Sequence, residues 1–242
     1  MTTVIIGASA GVGRALGRAL AAQGHQLFLV ARGAEDLDAE ARHLRTVYGA
    51  EVAWVAADAA KPAALVEALR GLADAPIRHL LFPLGLTEEN DDGSLDAEAI
   101  RRLVDVNLTS VMAVTALLLP RLLEANAGTI VGFGSIAAIR GRGANIAYAA
   151  AKRGLESYFE SLRHRLAPTG VAVQFYRLGY VASQMSFGKK LPFPAIAPEH
   201  VAEQVVRHLS RDQGLRHLPR YWAGIAVVLN VLPWAVYKRL KF

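Results

Sequence analysis

Tyr148 and Lys152 stand four residues apart in the run Tyr148-Ala149-Ala150-Ala151-Lys152. On a helix that spacing puts both side chains on one face, one turn apart. An unperturbed phenol titrates near pH ~10, and an ammonium held beside it favours the phenolate and lowers that value. The pair is therefore suited to moving a proton near neutral pH. Ser135 lies upstream, at the end of the apolar run Gly128-Thr129-Ile130-Val131-Gly132-Phe133-Gly134. Near the start of the chain, Gly7-Ala8-Ser9-Ala10-Gly11-Val12-Gly13 follows a first apolar run, Thr3-Val4-Ile5-Ile6.

That glycine-rich turn has a mechanical reading. A short buried strand leads into it and a helix to about residue 23 leads out, with Gly24 as the stop. Gly7 allows the tight exit from the strand, Gly11 lets a phosphate approach the backbone, and Gly13 permits close packing of the helix. Free N–H groups at a helix start favour a pyrophosphate. The spacing is Gly-x-x-x-Gly-x-Gly, unlike the Gly-x-Gly-x-x-Gly of the long dinucleotide fingerprint.

The elements that must carry these residues alternate. Strands are predicted over 3–6, 26–31, 51–56, 77–82, 128–135 and 171–176. Helices are predicted over 13–23, 35–48, 62–73, 96–125 and 145–167, with Pro120 kinking the fourth near its end. Such alternation predicts an α/β fold, a single doubly wound Rossmann-type parallel sheet with helices on both faces. Ligands then sit at the carboxyl ends of the strands, where Gly7, Arg32, Asp58, Phe82, Ser135 and Gly179 all fall.

Taken together these motifs resemble the short-chain dehydrogenase/reductase family over about the first 210 residues. Gly7, Ser9, Ala10, Gly11, Val12 and Gly13 match its coenzyme loop, and Asp58 matches the residue that contacts adenine. Asn107, Ser135, Tyr148 and Lys152 match its catalytic tetrad in order and spacing. Gly179 and Val181 match the turn that receives the nicotinamide. The resemblance implies that Tyr148 gives a proton to a carbonyl oxygen as hydride arrives, and takes it back in reverse. It implies that Lys152 lowers the Tyr148 pKa and holds the nicotinamide ribose. Ser135 would polarise the carbonyl and Asn107 would support a water relaying protons to Lys152. Two departures stand out. Where the family has Asn-Asn-Ala-Gly after the fourth strand, this chain has Phe82-Pro83-Leu84-Gly85, which keeps only the glycine, and Leu178 replaces the usual proline before Gly179.

Coenzyme choice is legible at the end of the second strand, Leu29-Val30-Ala31-Arg32. Ala31 falls where an NAD-type carboxylate would bind the ribose hydroxyls, so nothing repels a 2′-phosphate, and Arg32 can grip one with its planar fork. This selects NADP(H) over NAD(H).

The chain has 242 residues, a hydrophobic content of 53% and no cysteine, which fits one large α/β domain in a reducing compartment. Its seven histidines are scattered without a metal-ligand pattern and are expected at the surface or at helix ends. No metal site is expected. The charge of +6 is not gathered into a basic run interleaved with aromatics, which argues against a nucleic-acid partner. With no signal-like start, a cytoplasmic place is expected, peripheral at the inner face of the membrane.

Residues 1–220 read as the Rossmann-type body and 221–242 as an apolar and basic helical extension, standing where relatives carry a seventh strand and a short tail. Tyr221 to Tyr237 is uncharged, too short to span a bilayer, and interrupted by Asn230 and Pro233. Aromatic residues near both ends, followed by Lys238, Arg239 and Lys241, predict a helix pair broken at Pro233. Trp222 and Trp234 would then anchor at headgroup depth, and the three cations would meet phosphates. A contact between subunits of a homo-oligomer, or packing on the chain's own body, are the alternatives. The tail, with Leu218-Pro219-Arg220-Tyr221-Trp222 before it, also resembles a bacterial branch of the family that includes a reductase of a polyprenyl-phosphoryl 2-keto-pentose. That resemblance implies a lipid-linked or amphipathic ketone, whose phosphate Arg140 and Arg142 could meet, although basic residues are common in such a loop and a solvated loop is the reading their types favour. A small soluble alcohol or ketone is the alternative substrate. A non-catalytic NADP-binding regulator is the alternative function. The lid expected over 182–197 carries no readable substrate code.

Exchanging the coenzyme-selecting pair tests the first of these readings. Ala31→Asp with Arg32→Ala should move preference toward NADH, because a lost charge-assisted phosphate contact costs on the order of 1.5–3 kcal/mol. An unchanged ratio of kcat/KM for NADPH and NADH would show that Arg32 does not read the phosphate.

Overall fold

A computed structural model describes residues 1–184, 186–188 and 191–240. In chain order the elements are β1 (Thr2–Ile6), α1 (Gly11–Ala21), β2 (Gln26–Ala31), α2 (Ala34–Tyr48), β3 (Val52–Ala56), α3 (Pro62–Ala68), β4 (Ile77–Phe82), α4 (Ala97–Val104), α5 (Ser110–Ala125), β5 (Gly128–Ser135), α6 (Ile146–Leu166), β6 (Val171–Leu178), α7 (Pro198–Arg207), β7 (Gly214–Leu218), α8 (Trp222–Val231) and α9 (Trp234–Tyr237). The strands form one parallel sheet in the order β3-β2-β1-β4-β5-β6-β7. The order reverses between β1 and β4, and that reversal opens a crevice at the carboxyl edge.

Strand alternation divides the apolar residues between two cores. Ile5 of β1, Leu81 of β4 and Tyr176 of β6 face the core under α1, α2 and α7. Val4, Ile6, Phe82 and Phe175 face the core under α3, α5 and α6. Both faces of the sheet are covered, which is why its strands read as continuous apolar runs. Gly13 explains the tightness of the β1–α1 turn, since a Cβ there would lie 1.9 Å from the Gly7 carbonyl oxygen.

Several expectations are corrected. A seventh strand is present: β7 pairs along β6 from Gln174↔Gly214 to Leu178↔Leu218. With exposed Leu215 and Arg216, followed by His217, it lacks the apolar run that marks the other strands. The helix predicted over 96–125 is interrupted at a π turn, Asp105–Thr109, while α5 continues past Pro120 to Ala125. The Ala97–Ala125 stretch is long and apolar enough to cross a membrane, yet Leu103, Val111, Val114, Leu118 and Leu122 are buried within the domain. His79 is not a surface residue. It is buried on β4 beside His25, with ring centroids 5.7 Å apart, and its Nδ1 finds no hydrogen-bond partner among the described residues.

Burial first, then the neighbouring His25 and Arg78, push the His79 pKa down to about 3. The folded chain therefore holds it neutral, whereas the unfolded chain takes up a proton near pH ~6.5. The sign follows: nothing is lost above that pH, and stability falls as pH drops from about 6.5 toward about 3, by up to ~1.4 kcal/mol per unit from this group. His79→Leu should flatten the urea-unfolding free energy between pH 6.5 and 4.5 relative to wild type. Equal slopes in the two proteins would show that His79 does not govern acid sensitivity.

Candidate active site

The carboxyl ends of the first six strands converge on one cavity of about 760 Å³. Its lining includes Gly7, Ser9, Ala10, Gly11 and Val12 from the β1–α1 turn, Arg32 after β2, and Asp58 after β3. Pro83 to Leu86 follow from β4, Ser135 from β5, Tyr148 and Lys152 from α6, and Gly179 and Val181 from the turn after β6. Gly85, the one residue kept from the family's motif after the fourth strand and an expected coenzyme contact, is in this set. Gly13 is not; it lies beneath the turn and lets α1 pack there. Asn107 is completely buried behind the lining.

The cavity suits an elongated dinucleotide. Gly7 has φ +103, and a Cβ there would press to 3.1 Å from the Pro83 carbonyl oxygen, so the turn can be this close to the β4 loop only as glycine. The start of α1 offers free N–H groups beside it. Arg32 stands exposed at the end of β2, and Asp58 spends one oxygen on the Ala60 N–H at 3.0 Å.

The helix that carries Tyr148 and Lys152 is held by a residue that the sequence did not flag. Asn145, its N-cap, sits at φ 56 and gives no side-chain cap. Asp91, from the loop after β4, supplies it instead. Its two carboxylate oxygens accept from the Ala147 N–H at 2.8 Å and the Tyr148 N–H at 2.9 Å, and Asp91 is 4% exposed. In sequence Asp91 sits in Glu88-Glu89-Asn90-Asp91-Asp92-Gly93, which reads as a solvated acidic turn. A carboxylate at a helix start gains from the unsatisfied N–H groups and the dipole.

Lys152 Nζ donates to the carbonyls of Leu84 at 2.8 Å and Phe133 at 3.1 Å, tying α6 to the ends of β4 and β5. Asn107 braces the same loop: its Nδ2 donates to the Leu86 and Leu103 carbonyls, both at 2.9 Å, and its Oδ1 accepts from the Leu86 N–H at 3.2 Å. Its amide is thus engaged with backbone, and its place in the site is to position the β4 loop. Two of these three hydrogen bonds hold Leu86, in the loop where Phe82 and Pro83 stand in place of the family's two amides.

The electrostatics correct the simple picture of an ammonium lowering a phenol. Burial pushes the Tyr148 pKa up, and a hydrogen bond with Ser135 and the charge of Arg142 pull the other way without prevailing. Burial also pushes Lys152 down to about 7, so near neutral pH it is only partly charged and gives its neighbour little help. Ser135 Oγ also accepts from the Ala137 N–H at 3.1 Å, which orients the hydroxyl.

Arg140 and Arg142 part company. Arg142 lines the cavity, and its Nε is buried without a hydrogen-bond partner among the described residues. Arg140 turns to the C-terminal segment, where its Nη1 donates to the carbonyls of Leu229 and Leu232, both at 2.6 Å. The lid expected over 182–197 begins and ends on a fixed contact. Val181 and Ile196 form a parallel bridge, and Ser186 Oγ donates to the Val181 carbonyl at 2.7 Å. Met185, Lys189 and Lys190 lie outside the described residues, as do Lys241 and Phe242 of the tail.

Pro233 separates α8 from α9 as expected. Trp222, expected at headgroup depth, is instead 4% exposed and packed among Tyr180, Tyr221 and Phe193. The reason is a glycine: Gly179 leaves room for the indole, whose Nε1 would lie 2.2 Å from any Cβ at that position. Trp234 is 65% exposed and remains on the outside.

Residues 1–190 match the family described as short chain dehydrogenase. The chain belongs to that family and is an NAD(P)-dependent oxidoreductase. It is 32% identical over 207 residues to an uncharacterized oxidoreductase of Myxococcus xanthus, covering 85% of this chain and 81% of the relative. It is 28% identical over 243 residues to the very-long-chain 3-oxoacyl-CoA reductase of Anas platyrhynchos, covering 98% and 77%. Among solved structures it resembles a short-chain dehydrogenase from Sphingobium yanoikuyae in complex with NADPH, with a TM-score of 0.85 and 26% identity over 99% of this chain and 96% of the other.

Tyr148→Phe removes the phenolic proton and leaves the ring in its buried place. It should lower NADPH-dependent turnover of a ketone more than tenfold while NADPH affinity stays within a few-fold. Turnover above a tenth of wild type would sink the assignment of Tyr148 as the proton donor.

Proposed function

We propose that this chain is an NADPH-dependent carbonyl reductase acting on an amphipathic ketone that carries an acidic group and is met at an anionic membrane surface. The observation that carries the catalytic part is the convergence of Ser135, Tyr148 and Lys152 on the cavity that the glycine turn and Arg32 also line. Arg32, with no carboxylate at position 31, supports NADP(H) over NAD(H). Bound there, the reduced nicotinamide supplies the hydride. Ser135 donates a hydrogen bond to the carbonyl oxygen and so favours the negative charge that builds on it. Tyr148 gives its proton to that oxygen, a transfer that its raised pKa suits, since the phenol stays protonated near pH ~7. Lys152 lies one turn along the helix, where its pKa of about 7 lets it return a proton to Tyr148 or hold the nicotinamide ribose. Asn107 and Asp91 act through position: one holds the β4 loop, the other the start of α6.

Arg142 supports an acidic substrate. An arginine at a cavity wall with a buried and unanswered Nε is suited to a carboxylate or phosphate, which it can bind through two N–H groups. Arg142→Ala should raise KM on the order of tenfold for a ketone bearing a carboxylate or phosphate, the cost of one charge-assisted hydrogen bond of about 1.5 kcal/mol. KM for an uncharged ketone of equal chain length should hold. Equal effects on both ketones would remove the acidic group from the proposal. A chain that binds NADPH but reduces no ketone would favour the regulator reading instead.

The membrane part is supported by the tail. Trp222, Ala226 and Tyr237 are buried, leaving Val227, Val228, Val231, Trp234, Val236 and Leu240 exposed on α8 and beyond. From residue 213 to 242 the sequence holds Arg216, Arg220, Lys238, Arg239 and Lys241 and no acidic residue, a charge complement to anionic lipid. Full-length protein should sediment with phosphatidylglycerol-containing vesicles and not with pure phosphatidylcholine vesicles. Val227→Asp with Val231→Asp should abolish that sedimentation and leave reduction of a small soluble ketone intact. If wild type ignores both vesicles and the double variant instead splits an oligomer, the face is a subunit contact and the membrane reading fails.

A further inference from the structure

Two loops contribute walls of the cavity. One is the β5–α6 loop, which contributes Ile136, Ala137, Arg142 and Asn145. The other follows β6 and contributes Gly179, Tyr180, Val181 and Ser183. Loops of this kind are free to move unless something outside them fixes their spacing. The C-terminal segment touches both.

At one end Trp222 fills the space behind Gly179. The indole is 4.9 Å from the Phe193 ring in an edge-on contact and 6.1 Å from that of Tyr180, so one side chain packs against the turn and the segment that follows it. The Gly179 N–H also donates to the Leu218 carbonyl at 2.8 Å, just before α8 begins. At the other end the last turn of α8 presents carbonyls without helical partners, and Arg140 of the β5–α6 loop caps two of them. The Arg140 guanidinium lies 4.1 Å from the centre of the Tyr237 ring. Tyr237 Oη donates to the Gly141 carbonyl at 2.8 Å, which closes the clasp on the same loop. Between these two attachments runs α8, a rigid spacer of ten residues and roughly 15 Å.

We propose that the C-terminal segment is part of the active site: α8 is a strap that sets the separation of the two cavity walls, and Trp222 is the positioning residue for the Gly179 turn. The inference rests on the reductase reading for its consequence, because that turn is where the nicotinamide end of the coenzyme is received. The geometry explains why residue 179 must be glycine in this chain. The demand comes from the indole behind it, since Gly179 is not among the residues with positive φ. It also means that removing the tail cannot be neutral for catalysis. Truncation after Arg220 strips the wedge from the turn and the cap from the other loop, so even a small soluble ketone should be reduced poorly.

The test is a cycle between Gly179 and Trp222, read as KM for NADPH and as kcat, with circular dichroism to establish folding. Trp222→Ala should raise KM for NADPH about tenfold and lower kcat at saturating NADPH. Trp222→Phe should recover most of that loss, because it keeps an aromatic ring in the gap. Gly179→Ala alone should be impaired at least as much, and combining it with Trp222→Ala should restore activity above the Gly179→Ala level, since the Cβ then occupies the vacated space. Arg140→Ala, which frees the other end without touching the turn, should raise KM for the ketone while KM for NADPH changes less, and it serves if the Trp222 variants fail to fold. The strap is overturned if folded Trp222→Ala and Arg140→Ala both keep wild-type KM and kcat, or if the Gly179 and Trp222 effects simply add. A wild-type protein that neither binds NADPH nor reduces any ketone would count against the reductase reading instead.

Discussion

A buried lysine organises the carboxyl edge of this sheet. Lys152 is 3% exposed, and its Nζ can be satisfied there only because two carbonyls, from Leu84 and Phe133, are turned toward it. A cation taken out of water must find acceptors or lose its proton. Here it does part of each, with two acceptors and a pKa of about 7. Meeting that demand draws together the ends of β4 and β5 and the second turn of α6. The same contact therefore places Tyr148 and Ser135 on a common wall.

The elements around that contact share the task of keeping it rigid. Asp91 caps α6 at the residue that carries the phenol, and Asn107 holds the loop that offers the Leu84 carbonyl. The π turn that interrupts the helix at Asp105–Thr109 sits where Asn107 must reach back to Leu103 and across to Leu86. Each of these groups is polar and largely buried, and each is satisfied by backbone. Such networks fix geometry more firmly than apolar packing alone, because a half-satisfied arrangement is costly.

The C-terminal segment extends this logic beyond the fold common to the family. An apolar helix could have lain free on the surface, or been absorbed fully into the core. Instead it buries a narrow stripe, from Trp222 through Ala226, and leaves its broad outer face in solvent. The buried stripe meets the walls of the cavity and the outer face is available to a surface. A single helix thus stands between the outer surface and the Gly179 turn.

The sequence by itself determined what depends on local spacing. The alternation of apolar runs and helical stretches settled the sheet, and the positions of Gly7, Ser135, Tyr148, Lys152 and Gly179 at strand ends and on one helix face brought them to one cavity. Pro233 divided the tail because a proline breaks a helix wherever it occurs in one. Tertiary structure decided what depends on a distant partner. Asp91 reads as a solvated turn until α6 arrives above it, and β7 is too polar to announce itself without β6. His79 looks like a surface residue until its strand is placed at the centre of the sheet. The pKa values of Tyr148 and Lys152 depend on burial, which no spacing reports, and burial reversed the expected shift of the phenol. Arg140 was expected in a solvated loop or at a substrate phosphate, and Trp222 at a membrane. Their true neighbours, Tyr237 and Gly179, lie 97 and 43 positions away along the chain, and only the folded chain brings them into contact.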